Sequence, residues 1–202
     1  MRYFLRKALL ALLLFSLGSA WADDQQVARQ LIEDTTGKVI SILRDASLKG
    51  DAKREERRAK MREVLLSVTD ARRVGLLTLG RQRSKFSEAQ LQEFTEVFSQ
   101  LVFVTYIANV EKFTDEKVNI LNVEILPDSK ACVTTKIASS TRETPADFSL
   151  FKDEKGAWKV YDVKVEGVSL VTNYRSQFSE SLVNSTPEKL IAELRQKVKE
   201  NE

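Results

Sequence analysis

Few residues in this chain are equipped for chemistry. Asp162 and Glu166 lie four apart on a segment that reads as a strand, where alternate side chains share a face. Paired carboxylates of this kind can act as acid and base. Asp162 can equally bond a neighbouring loop or Arg175, which leaves Glu166 to end the strand in water. No third catalytic group accompanies them. Ser169 has no base beside it and suits the N-cap of a helix. Histidine is absent, so the commonest general base and the commonest transition-metal ligand are both missing. The single cysteine, Cys132, has no intramolecular partner and reads as a small strand residue. Neither a glycine-rich phosphate loop nor a metal-ligand cluster is present in the sequence, so no metal and no other cofactor is expected. Arg81, Arg83 and Lys85 form the sharpest basic cluster. It suits either a partner or phosphate-headgroup contact, or a solvated loop.

The elements that must position these groups follow from periodicity. The stretch 156–166 alternates like a strand with apolar partners on both sides, placing Tyr161, Val163 and Val165 on one face and Trp158 and Val160 on the other. The period then changes to that of a helix beginning at Ser169, with Val171, Tyr174, Phe178 and Leu182 on one side and Gly167 at the change of direction. Upstream, Val27, Leu31, Val39, Ile42 and Leu43 give a first helix its apolar stripe, which Gly37 weakens. A second helix over 52–66 opens with mixed charges, including Arg57 and Arg58, that suit a solvated face. Asp70 starts a short helix ending at Gly80. Ser87 and Gln90 form a capping box for a longer helix carrying Leu91, Phe94, Phe98, Leu101, Val102, Phe103 and Val104, followed by Tyr106. Segments 118–126, 131–138, 146–151 and 158–166 read as four strands whose short connections make an antiparallel meander. Thr186-Pro187 starts the last helix. Phe98, Phe103, Tyr106, Phe148, Trp158, Tyr161, Val163, Val165, Tyr174 and Phe178 are the apolar residues that could line a cavity, although the same periods serve a filled core equally well.

Residues 1–22 read as a secretory leader. Arg2, Arg6 and Lys7 precede an apolar run, and Ala20-Trp21-Ala22 suits cleavage after Ala22. The run is too short to span a bilayer. Cleavage would shorten the chain from 202 to 180 residues, and Lys+Arg from 32 to 29, equal to the 29 Asp+Glu. A mature chain of zero net charge has no general attraction to nucleic acid. It is long enough to build its own core without a disulfide.

The spacing of Trp158, Asp162, Gly167, Ser169, Asn173, Tyr174, Arg175 and Phe178 resembles the MlaC (toluene-tolerance) family of periplasmic phospholipid-binding proteins. Leu79-Gly80-Arg81 looks like that family's LGR element, but Gln82-Arg83 stands where family members often carry an aromatic. The resemblance implies an α+β fold, a curved antiparallel sheet of the nuclear-transport-factor-2-like kind wrapped by a helical subdomain. The single domain 23–202 would comprise a mainly helical part (23–112), the sheet (113–166) and C-terminal helices (167–202). The implied function is a non-enzymatic phospholipid carrier. It would work as a monomer in the periplasm, between an inner-membrane ABC transporter complex and an outer-membrane lipoprotein complex, maintaining outer-membrane lipid asymmetry. The cavity candidates would then hold acyl chains. The alternatives are an enzyme on the same sheet using Asp162 or Glu166, or a periplasmic chaperone for lipoproteins or unfolded chains.

Overall fold

The computed structural model describes residues 2–113 and 115–202, with side chains from Asp23 onward. The leader and cleavage site expected from the sequence fall on residues 1–22, whose side chains lie outside the described residues; the backbone from Arg2 onward forms part of the first helix, α1 (Arg2–Arg44). Gly37 does not interrupt that helix. Two short 3-10 turns, Ala46–Leu48 and Asp51–Lys53, lead into α2 (Arg54–Val68). Asp70 caps α3 (Ala71–Leu79) by accepting from the Arg73 backbone N–H, and a 3-10 segment, Gly80–Lys85, follows. The capping box forms as the sequence predicts, Ser87 and Gln90 each satisfying the other's backbone N–H at the start of α4 (Glu88–Val110). The chain then builds β1 (Lys117–Leu126), β2 (Lys130–Ala138), β3 (Glu143–Lys152), β4 (Trp158–Val165) and β5 (Val168–Ser169) before α5 (Leu170–Ser181) and α6 (Pro187–Asn201). Among the described residues, no helix is long and apolar enough to cross a membrane.

The sheet is an antiparallel meander in the order β1-β2-β3-β4-β5, five strands where the sequence predicts four. β5 has only two residues, too few to show a period. It pairs back onto the end of β4 through Glu166 and Gly167, whose positive φ values of 50° and 84° suit a two-residue hairpin turn.

A β-bulge changes the faces of β4. Phe148 pairs with Val163 and Ser149 with Asp162, but Leu150 then pairs with Val160, so Tyr161 is the extra residue. Past the bulge the alternation restarts out of phase. Val163 therefore joins Trp158 and Val160 on one face, correcting the separation expected from strict alternation.

Two apolar cores result. One unites that sheet face, with Val123, Val133, Leu150, Trp158 and Val160, to Ala28 and Ile32 of α1. The other lies among α3, α4, α5 and α6. Ser169 accepts from the Thr172 N–H, and Thr186 caps α6 with Pro187 in its first turn.

Candidate functional site

The helical core is filled by rings. Phe94 stacks on Phe98 at 5.5 Å, and Phe178 meets both edge-on at 5.4 Å. Tyr174 meets Phe98 edge-on at 4.9 Å. These are the offset and T-shaped arrangements that aromatic quadrupoles favour. Phe98, Tyr174 and Phe178, three of the expected cavity residues, thus pack against one another. Burial, with the neighbouring Tyr106, pushes the Tyr174 phenol up to about 12, so it stays a neutral donor at every physiological pH.

The other expected lining residues are divided. Phe148, Trp158 and Val163 belong to the core beneath α1. Trp158 is only 4% exposed, Lys152 stands 5.2 Å from its ring centroid, and its indole N–H has no acceptor among the described residues. Tyr161 lies on the opposite sheet face through the bulge, edge-on to Phe151 at 6.1 Å, with the Arg73 guanidinium 3.8 Å from the Phe151 centroid. Tyr106 and Val165 are 40% and 41% exposed. The ten residues therefore do not enclose one cavity.

An apolar cleft does open on the side of α4 facing α2. Leu65, Leu66 and Thr69 form its roof, Ala71 and Val74 one wall, and Phe98, Ser99, Val102 and Phe103 its floor. Its volume is about 120 Å³. Of the expected residues, only Phe98 and Phe103 line it. Arg62 is its one charged lining residue, and lies 5.2 Å from the centroid of the Phe103 ring. Sequence reasoning missed Arg62, Leu65 and Leu66. The available signal was a Leu-Leu pair closing a strongly polar helix, with Leu66 46% exposed in the structure.

The roof is tied at both ends. At the start of α2, Arg57 and Arg58 both fork onto Glu111, Arg57 Nη2 at 2.7 Å from Oε1 and Arg58 Nη2 at 2.8 Å from Oε2. Arg57 Nη1 also donates to the Leu48 carbonyl at 2.8 Å. The first positions of α2 are thus no merely solvated face, and Arg58 is buried. Burial pushes the Glu111 carboxyl up, but bonds and charge from the two guanidiniums outweigh it and hold the group below the ordinary carboxylate value. They also offset an acidic residue at the negative end of α4. At the other end, Lys159 donates to the Ser67 carbonyl at 2.7 Å, and Thr69 bridges Val160 on β4.

The candidate catalytic carboxylates are engaged structurally. Asp162 accepts from the Ser169 hydroxyl at 2.5 Å and the Val171 N–H at 3.0 Å, securing the start of α5. Glu166 pairs with Arg142 at 2.5 Å. Cys132 is half-buried on β2, and burial pushes its thiol up, away from the reactive thiolate. Arg81, Arg83 and Lys85 line the exposed 3-10 segment; Lys85 donates to the Leu182 carbonyl at 2.5 Å, while the Arg81 and Arg83 side chains have no bonded partner among the described residues.

The sequence profile of the MlaC protein family matches residues 33–196. The chain belongs to the MlaC family. A solved structure of a phospholipid-binding protein from Ralstonia solanacearum, in complex with a phospholipid, shares the fold with a TM-score of 0.74 at 19% identity, over 88% of this chain and 97% of that one. No curated protein matches the sequence. The likeness establishes the α+β architecture but does not bear out the nuclear-transport-factor-2-like description. Two stretches that carried the resemblance to MlaC proteins meet in space. The Arg175 side chain lies 3.5 Å from where a Cβ on Gly80 would be, and its Nε donates to the Leu77 carbonyl at 2.7 Å. Gly80 has φ of 53°, so a side chain there would be strained as well as crowded.

Proposed function

We propose that this protein is a phospholipid carrier. It shuttles lipid across the periplasm between an inner-membrane ABC transporter complex and an outer-membrane lipoprotein complex, and so maintains the lipid asymmetry of the outer membrane. The observation that carries this reading is the MlaC match over residues 33–196. The bound phospholipid in the structurally similar Ralstonia protein supports it, as does an apolar cleft bordered by one cation.

The physical requirement is severe. Burial of apolar surface contributes roughly 0.8 kcal/mol per methylene, so two acyl chains of ~30 methylenes resist water by about 20 kcal/mol or more. A carrier must replace that environment with a dry one. The cleft of about 120 Å³ is smaller than the roughly 300–1,000 Å³ of pockets that hold small ligands. A diacyl lipid fits this cleft only once α2 and α4, which bound it, have moved apart. The carrier needs no nucleophile, and Asp162 and Glu166 are engaged by Ser169, the Val171 N–H and Arg142.

Organic extraction and mass spectrometry of protein purified from the periplasm test the reading. Diacyl phospholipid in stoichiometric amount is expected. A peptide, or no lipid from protein that also fails to take up lipid from vesicles, would overturn it.

A further inference from the structure

Arg62 is an unusual lining residue. It is half-buried, its guanidinium lies over the Phe103 ring, and its side chain has no ion pair or hydrogen bond among the described residues. Charged groups withdrawn from water are normally paired. One helical turn earlier, Arg58 obeys that rule by forking onto Glu111. Arg62 does not, and the face of the Phe103 ring is the contact its guanidinium makes. A guanidinium over an aromatic face keeps its in-plane N–H donors free, and their planar fork matches two oxygens of a phosphate. Beside it, Leu65, Leu66, Val102 and Phe103 offer apolar surface of the kind an acyl chain covers.

Resting on the carrier reading, we propose that the α2–α4 cleft receives an acyl chain and that Arg62 holds the phosphodiester of the same lipid. The cation thereby sets a preference for phosphate-bearing lipids over neutral diacyl lipids. The aromatic ring orients the guanidinium, and the leucines of α2 cover the chain as the roof closes. Arg62 forms no covalent bond and transfers no proton; it discriminates by charge and donor geometry.

Delipidated protein reloaded from vesicles containing equimolar phosphatidylglycerol and diacylglycerol of identical acyl chains tests this. The native protein should take up phosphatidylglycerol preferentially. Arg62→Gln should reduce that preference about tenfold, the scale of a lost charge-assisted hydrogen bond, and Arg62→Lys should restore part of it. Val102→Trp, which adds bulk to the cleft and keeps Arg62, should reduce uptake of both lipids alike while circular dichroism shows it folded. An Arg62→Gln variant with the native lipid ratio would overturn the role of the arginine, and full uptake by Val102→Trp would overturn the cleft. If Arg62→Gln misfolds by circular dichroism, the ratio in Arg62→Lys decides, because loss of fork geometry alone should still lower the preference. Native protein that binds neither lipid would instead remove the carrier reading itself.

Discussion

Towards its C-terminal end α4 is apolar nearly all round, and its two sides differ in what meets them. On one side, Leu91, Phe94, Phe98 and Leu101 are covered by α5 and α6, and the rings of Phe94, Phe98 and Phe178 leave little space between them. On the other, Ser99, Val102 and Phe103 face α2 across a cleft. The difference lies in the partner helix. α6 brings Leu190, Ile191, Leu194 and Val198 as an apolar stripe, whereas α2 is predominantly polar and carries its exposed Leu65 and Leu66 near the end. A helix with few apolar residues can roof a cleft without filling it.

Truncating a ring on the filled side should have the largest effect. Phe94→Ala should lower unfolding stability in urea by about 4 kcal/mol, combining lost transfer energy with a cavity that close-packed neighbours cannot fill. A loss below about 1 kcal/mol would mean that this side collapses as readily as the open one.

Removing the fastener of the roof should come next. Glu111→Ala leaves two largely buried guanidiniums without their carboxylate, at a cost of about 3 kcal/mol. The same contact predicts a pH dependence. Because the folded-state pKa of Glu111 is lowered, its stabilisation is complete above the ordinary carboxylate value of about 4.3 and is lost as pH falls through its own lower value. Urea midpoints between pH 6 and pH 3 should therefore fall less in Glu111→Ala than in the native protein. Parallel curves would show that the pair is not linked to folding.

The smallest effect belongs to the open side. Val102→Ala should cost about 1 kcal/mol, since its removed methyl groups are only partly buried. A cost equal to that of Phe94→Ala would dissolve the contrast between the two sides.

Much of this fold was legible because the deciding signals are local. The caps at Asp70, Ser87, Ser169 and Thr186 need only their own first turn. The bulge at Tyr161 was not legible: it arises from pairing with β3, and a single inserted residue moved Val163 to the face of Trp158 and Val160, away from Tyr161. The Arg57 and Arg58 contacts to Glu111 span more than fifty residues of sequence, and nothing in a run of mixed charges marks which of them will be buried. The cavity candidates shared a period but not a location. Periodicity identifies which side of an element is apolar, while enclosure depends on the shape of what faces it.

The anchors of α2 also order events during folding. Its start is held by a residue 53 positions away, and its end by one 92 positions away. Such distant contacts form only after the loop-closure entropy of the intervening chain has been overcome. α2 can take its final seat only once α4 is helical and β4 has joined the sheet. The roof of the cleft therefore closes after those two elements have formed, and its amides should exchange with solvent sooner than those of the helix beneath it.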